Sequence, residues 1–205
     1  MGKSRMKILA GWVLAFVAVL TAAAGSVEVT YPADSPLALE GFCLIVSRGE
    51  NDFAFDAERG VFKAGTQEVK AEASFVQEKS GTTVMTLTFT ANDDLWATIG
   101  CQGRGVLAGE PRAFSLESVL GGKPVADLQR PPAGVTSKNW LTVFWADGRS
   151  VGVENDTAYS LCLSAEREAG WNHWLFRAMA KEGWGMVPLM RDEPFVLRVR
   201  LVPGK

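Results

Sequence analysis

The chain has 205 residues, of which 47% are hydrophobic and 21% are charged, and its formal net charge is −2. This charge balance argues against nucleic-acid binding, which depends on an excess of Lys and Arg that neutralises phosphates.

The first 24 residues are typical of a secretory signal peptide. Lys3, Arg5 and Lys7 precede an apolar run over residues 8–20, and small residues follow as far as Ala24. An uncleaved membrane anchor is the alternative, but the strongly apolar part is shorter than the roughly 17–25 residues of a spanning helix. We expect cleavage near Ala24, export from the cytosol to the periplasm or the medium, and no stable membrane span afterwards.

Cleavage at that point would leave residues 25–205 as one domain, a size that is ample for a single hydrophobic core. It would also remove three basic residues, so that 18 basic side chains face 23 acidic ones and the net charge becomes about −5.

The rest of the chain alternates between apolar and polar residues with period two, which is the pattern of half-buried β-strands. Two hairpins stand out, one with its turn at Ser80-Gly81 and one with its turn at Asp147-Gly148, where glycine accepts a positive φ. In chain order, the predicted strands cover residues 27–31, 42–47, 61–64, 69–75, 85–90, 96–101, 141–145, 150–154, 159–165 and 195–201.

Two segments break this pattern. Residues 121–139 contain Gly121-Gly122 and Pro131-Pro132, and we expect a long surface connection there because proline removes ladder donors. Residues 166–181 fit a short helix near 171–181 as well as a strand. We favour a strand that returns from a turn at residues 168–170.

Nine or ten strands are too many for one open twisted sheet of this size. The sequence therefore predicts an all-β protein built as a two-sheet antiparallel β-sandwich, of the jelly-roll or immunoglobulin-like type.

Three cysteines, Cys43, Cys101 and Cys162, remain after processing. An oxidising compartment favours a disulfide between two of them, whereas three buried thiols or an intermolecular bridge are the alternatives. The pairing stays open at this point.

We expect no cofactor. Acidic loops at residues 50–52 with 56, at 92–94 and at 154–156 supply oxygen ligands suited to a structural calcium ion, but none reproduces the spacing of a twelve-residue calcium loop. Residues 155–157 also form an acceptor triplet for N-glycosylation.

Catalytic motifs are weak. His173 is the only histidine, and no Gly-x-Ser-x-Gly turn accompanies it, so a Ser-His-Asp enzyme is unsupported. The glycine-rich run over residues 100–105 lacks the lysine of a phosphate-binding loop, which favours a bulge or a turn.

Tryptophan is the distinctive residue type. Trp171, Trp174 and Trp184 lie close together in sequence beside Asn172 and His173. An indole ring offers a flat apolar face that stacks on a sugar ring, while neighbouring polar groups bind its hydroxyls. These five residues are the predicted ligand site.

The other tryptophans of the mature chain, Trp96, Trp140 and Trp145, are expected in the core. The sequence thus predicts a secreted or periplasmic non-catalytic binding module, with carbohydrate as the first ligand and a glycan or an envelope protein as the partner. The alternatives are a glycoside hydrolase with a carboxylate pair and a structural or surface-assembly protein of the cell envelope.

Overall fold

A computed structural model describes residues 20–21, 37–49, 53–56, 58–107, 111–116, 134–145, 147–167, 173–181 and 185–204. These ranges contain fifteen strands and no helix. The strands are β1 (Leu20–Thr21), β2 (Leu37–Ser47), β3 (Ala54–Asp56), β4 (Val61–Ala64), β5 (Gln67–Gln77), β6 (Thr83–Ala91), β7 (Leu95–Leu107), β8 (Pro111–Leu116), β9 (Gly134–Lys138), β10 (Trp140–Trp145), β11 (Ser150–Asn155), β12 (Cys162–Arg167), β13 (His173–Met179), β14 (Val187–Leu189) and β15 (Pro194–Pro203).

The strands form two antiparallel sheets. The first sheet has nine strands in the order β3-β4-β5-β6-β15-β11-β10-β8, with β1 paired to β5. The second sheet has six strands: β7 pairs with β2, β13 and β14, and the sheet continues from β13 through β12 to β9. The predicted all-β sandwich is confirmed. Within the described ranges, no helix has the length and hydropathy needed to cross a bilayer.

Alternating side chains build the core between the two sheets. In the first sheet, Leu87, Phe89 and Leu197 are completely buried, and in the second sheet Ile99 and Leu163 are 1% exposed. Each such side chain contributes roughly 1.5–3 kcal/mol when it leaves water. The period-two pattern of the sequence therefore identified the inward-facing positions of the central strands correctly.

Two predictions differ from the structure, at residues 134–138 and at the start of the strand predicted at 159–165, whereas the favoured strand within residues 166–181 is confirmed. Residues 134–138 form β9, which pairs with β12 at the edge of the second sheet, rather than part of a surface connection. Residues 173–179 form a strand and not the alternative helix, because they pair with both β12 and β7. The strand predicted at 159–165 begins only at Cys162. The strand predicted at residues 27–31 lies outside the described residues.

The glycine-rich run lies inside β7, where it permits close contact between strands. The register of β2 shifts opposite Gly103, between Glu40 and Cys43, which is the geometry of a β-bulge. At Gly100, a Cβ atom would lie 2.7 Å from Sδ and 3.0 Å from Cα of Met179. Gly100 therefore lets the Met179 backbone and side chain pack directly against β7.

The substitution Gly100→Ala is expected to reduce the free energy of unfolding by about 1–3 kcal/mol, because the added methyl group forces the Met179 strand away. Urea denaturation measures the effect. Gly152→Ala is the matched control in β11, since the nearest atom to its Cβ is 3.6 Å away. Equal losses in the two variants would contradict this account of Gly100.

No disulfide joins Cys43, Cys101 and Cys162 to one another in the structure. Cys101 is 4% exposed and faces the core, and burial raises the pKa of its thiol to about 12. Cys43 alternates with the buried residues Phe42 and Leu44 and therefore lies on the other face of the sheet. Cys43 and Cys101 are thus separated by the sheet itself, which does not favour a bridge between them.

Asn139 is the residue at which the chain passes from the second sheet to the first, between β9 and β10. Its φ of 63° lies in the left-handed region, which Asn tolerates better than most residues. The Asn139 N–H donates to the Leu161 carbonyl at 2.9 Å, and the Asn139 carbonyl accepts from Asn155 N–H at 2.7 Å. The Asn139 side-chain oxygen accepts from Leu161 N–H at 3.0 Å and from Asn155 Nδ2 at 2.8 Å.

Replacing Asn139 separates its two contributions. Asn139→Gly keeps the left-handed backbone but removes two side-chain hydrogen bonds, so we expect a loss of about 1–3 kcal/mol. Asn139→Ala should lose roughly 1–2 kcal/mol more through backbone strain. Urea denaturation of both variants is compared with Asp192→Gly, a residue of φ 60° whose side chain makes none of the described hydrogen bonds. A neutral Asn139→Gly would show that the side chain contributes nothing to the corner.

Candidate functional site

A surface cleft of about 320 Å³ opens at one end of the sandwich. Its walls come from the loop between β11 and β12, from the end of β13, from β14 and from the start of β15. Tyr159, Pro188, Met190, Glu193 and Phe195 are among the lining residues. Aromatic, apolar and acidic groups therefore share one concave surface.

Two aromatic rings form part of one wall of the cleft. Tyr159 and Phe195 are stacked, with ring centroids 5.0 Å apart and an interplanar angle of 20°. Phe195 packs against the hydrophobic core and pairs across the sheet with the fully buried Phe89. Tyr159, in contrast, is 57% exposed. One ring is thus anchored in the core while the other presents its surface to solvent.

The loop that carries Tyr159 is held by hydrogen bonds. The Asn155 amide Nδ2 donates to the Tyr159 carbonyl at 2.5 Å, in addition to its bond with Asn139, and Asn155 Oδ1 accepts from Thr157 N–H at 2.9 Å. This arrangement fixes the backbone beneath the aromatic ring. It also uses both hydrogens of the Asn155 amide nitrogen, the atom to which an N-glycan would be joined at the predicted acceptor triplet.

The turn between β14 and β15 forms the opposite wall. Arg191 Nη2 donates to Asp93 Oδ1 at 2.6 Å, and the Arg191 backbone N–H donates to Asp94 Oδ1 at 2.8 Å. The Asp192 N–H donates to the Ala91 carbonyl at 2.8 Å. The hydrogen bond from Arg191, followed by that from the Asp94 N–H, lowers the pKa of Asp93. The wall is therefore docked onto the turn between β6 and β7.

The same contacts occupy the predicted calcium loop at residues 92–94. The Asn92 side chain accepts from Glu68 N–H at 2.8 Å and donates to the Thr66 carbonyl at 3.0 Å. Asp93 is paired with Arg191. In the part of the chain that the structure describes, no group of three His, Cys, Asp or Glu side chains is arranged to hold a metal ion. The acidic segment at 50–52 lies outside that part.

Trp96 flanks the cleft, and the prediction that it belongs to the core is wrong. It is 54% exposed because its neighbours Leu95 and Ala97 face inward, at 5% and 0% exposure, and the alternation of the strand places the indole outside. Its cross-strand partner is Pro188, which lines the cleft. Directly opposed residues have Cβ atoms only about 4.5–5.5 Å apart.

The other two tryptophans that were expected in the core have different outcomes. Trp140 is half-buried and alternates with the buried Leu141, so it lies on the outer face of the first sheet. The side chain of Trp145 lies outside the described residues.

The predicted ligand-site residues are only partly covered. His173 pairs with Val106, and Trp174 pairs with Gly105 and Arg167; these are backbone placements, and their side chains are not among those described. Trp171, Asn172 and Trp184 lie outside the described residues altogether. These five residues therefore stay a prediction.

Of the five predicted residues, Trp184 is the one that lies in sequence between two residues of the cleft lining. Ala180, one residue beyond β13, and Val187, the first residue of β14, both line the cleft. Trp184 is three positions before Val187 in the sequence. Trp174, in contrast, lies near the start of β13, at the other end of that strand from Ala180.

Sequence reasoning missed Tyr159, Phe195 and Glu193 as site residues. The alternating pattern assigned Tyr159 to the inward face of a strand together with Leu161. The hydrogen bonds of Asn155 form a turn that ends β11 instead, and this local bonding overrides the strand pattern. The Asn-Asp-Thr triplet ahead of Tyr159 was the signal that could have indicated such a turn.

Glu193 is the acidic residue that lines the cleft among the described side chains. It belongs to no described ion pair, whereas Glu68, Glu72 and Glu78 each contact a basic side chain. A glycosidase would need a second carboxylate facing it, and the described lining contains none.

No protein-family model and no curated protein sequence matches the chain. Among solved structures, a protein from Synechocystis sp. PCC 6803 aligns with a TM-score of 0.45 and 8% identity, over 87% of this chain and 65% of that one. The galactosidase domain of an alpha-galactosidase-sucrose kinase aligns with a TM-score of 0.34 and 12% identity, over 82% of this chain and 28% of that one. The alpha-galactosidase from Lactobacillus brevis gives a TM-score of 0.34 and 9% identity, over 82% and 27%.

The chain thus spans 65% of the length of the first structure and little more than a quarter of the other two, at 28% and 27%. At these TM-scores and identities the likenesses identify neither a family nor a site. The proposed function therefore rests on the geometry of the cleft.

The ion pair behind the cleft wall gives a pH-dependent prediction. Because the pKa of Asp93 in the folded protein is lowered from its ordinary value of about 3.8, its contribution to stability is present above that value and is lost as the pH falls through the folded pKa. We expect Asp93→Asn to lower the melting temperature at pH 7. The difference from the unsubstituted protein should vanish in strong acid.

Thermal unfolding followed by circular dichroism across this pH range measures the difference. Glu58→Gln is the control, since the exposed Glu58 side chain makes none of the described ion pairs. A difference for Asp93→Asn that does not change with pH would rule out the ion pair as its cause.

Proposed function

We propose that the chain is an exported, non-catalytic carbohydrate-binding module and that the cleft beside Tyr159 is its ligand site. The observation that carries the proposal is the Tyr159 ring, which is 57% exposed although its stack on Phe195 and its loop hydrogen bonds hold it in place. A fixed, exposed aromatic ring is costly to leave in water and is suited to stack on the C–H face of a sugar.

The distribution of apolar side chains supports a binding role. The exposed large hydrophobic residues among those described are Val76, Trp96, Tyr159, Met186 and Met190. Tyr159 and Met190 line the cleft. Met186 is adjacent in sequence to the lining residue Val187, and Trp96 pairs with the lining residue Pro188. Exposed apolar side chains that gather around one cleft are typical of interaction sites.

Preorganisation supports the same proposal. Association with a ligand is weakened by every side chain or loop that must be ordered. The Tyr159 loop is tied to Asn155, and the opposite wall is tied to Asp93 and Asp94. Little ordering is therefore left for the ligand to impose, and Glu193 is available to accept hydrogen bonds from sugar hydroxyls.

The predicted cluster of Trp171, Trp174 and Trp184, with Asn172 and His173, is proposed to extend this site. For Trp184 the support is its place in the sequence between the lining residues Ala180 and Val187; for the other four residues it is the residue types alone. Export is proposed from the basic and apolar pattern of residues 1–24, which would place the site where glycans and envelope proteins are its partners.

Substitution of Tyr159 tests the proposal. Tyr159→Ala should weaken binding to the recognised oligosaccharide about tenfold or more, equivalent to roughly 1.4 kcal/mol, because the stacking face is lost. Tyr159→Phe keeps the ring and should retain most of the affinity. The ligand is first identified on an array of neutral and charged oligosaccharides, and affinities are then measured by isothermal titration calorimetry.

Val76→Ala, which removes an exposed apolar side chain from β5, is the control. Alanine variants of Trp171, Trp174 and Trp184 extend the test: a site role predicts weaker binding at a nearly unchanged melting temperature, whereas a buried Trp costs about 3–5 kcal/mol of stability when it is removed. Array binding that survives Tyr159→Ala undiminished would sink the proposal.

A further inference from the structure

The charge inside the cleft is the feature that the proposed function leaves unexplained. Glu193 lines the cleft and is exposed, yet it belongs to no described ion pair. The nearest arginine in sequence, Arg191, pairs its guanidinium with Asp93, and its backbone N–H donates to Asp94. The described part of the cleft therefore presents a negative charge without a protein cation.

The aromatic ring of Tyr159, which lines the same cleft as Glu193, also favours a positively charged ligand. The face of an aromatic ring is electron-rich and attracts an ammonium group placed over it. Tyr159 presents such a face, and the apolar side chains of Pro188 and Met190 complete the surroundings. A carboxylate beside aromatic and apolar surface is suited to an ammonium group that is attached to a ring or to an alkyl frame.

We infer that the saccharide bound in this cleft carries a positively charged amino group, as an unacetylated amino sugar does. The inference rests on the proposed carbohydrate-binding function and adds the charge of the ligand to it. The amine would lie against Glu193 while the ring of the sugar stacks on Tyr159. The overall excess of acidic residues, 23 against 21 basic ones before any processing, adds an attractive field for such a ligand.

Two oligosaccharides that differ in the acetylation of their amino groups show whether the cleft recognises the charged amine or the sugar ring alone. A glucosamine tetramer and its fully N-acetylated counterpart have the same backbone but differ in charge. Affinities are measured by calorimetry at about 0.01 M and about 1 M salt, where the Debye length falls from about 30 Å to about 3 Å. We expect the glucosamine tetramer to bind about fivefold more tightly at low salt, and we expect high salt to reduce this preference.

Glu193→Gln tests the assigned counter-charge. This substitution keeps the size of the side chain but removes its charge, and it should abolish the preference for the amine. Glu58→Gln, in the turn between β3 and β4, is the matched control and should retain the preference. Tyr159→Ala should weaken the binding of both tetramers.

The outcomes separate this inference from the proposed function. Equal affinities for the two tetramers, or an amine preference that persists in Glu193→Gln, would overturn the inference and leave carbohydrate binding in place. If neither tetramer nor any other array glycan binds the unsubstituted protein, both proposals are overturned.

Discussion

The corner at Asn139 is the constraint on which both the fold and the candidate site depend. One residue in the left-handed region carries the chain between the sheets, and its main-chain and side-chain groups all bond to residues near 155 and 161. The Asn155 amide that closes this corner also holds the Tyr159 carbonyl. The Asn155 amide bonds both to the corner residue and to the Tyr159 loop. The position of the exposed Tyr159 ring therefore depends on the way in which the two sheets are joined.

The cleft lies where strands end, and this location has a physical reason. Within the sheets, alternation commits every second side chain to the core and leaves the others on a nearly flat surface. Only at the turns can side chains from several strands converge, as Tyr159, Met190 and Glu193 do here. The loops are also tied to rigid elements, through Phe195 to the core and through Arg191 to the turn after β6. Binding groups on loops that a rigid scaffold positions are a common solution.

The sequence was sufficient for the fold class and for the central strands, since β4 has the predicted bounds and Leu87, Phe89 and Leu197 are buried as the alternation indicates. It failed where tertiary context decides. β9 has little apolar pattern of its own and is a strand because β12 offers it a partner. Trp96 is a large aromatic residue of the kind that cores contain, but its position in the alternation of the strand places its side chain on the outer face. Tyr159 lies outside the strand because hydrogen bonds of Asn155 form a turn there, and such bonds are not visible in the alternation of apolar and polar residues.

The contrast between Glu193 and the other exposed acids bears on how selective such a cleft can be. Glu68 and Arg59, or Asp147 and Arg149, form pairs whose partners already satisfy each other on the surface. A carboxylate that faces an apolar, aromatic wall has no such partner, and water satisfies it only while the cleft is open. In the proposed complex, a ligand ring that covered Tyr159 would also displace this water, so the effective dielectric constant would fall and the interaction of Glu193 with the group that replaces the water would become stronger. Under the proposed function, stacking on Tyr159 and attraction by Glu193 would therefore be coupled, and neither the ring nor the carboxylate alone would give the cleft the same selectivity.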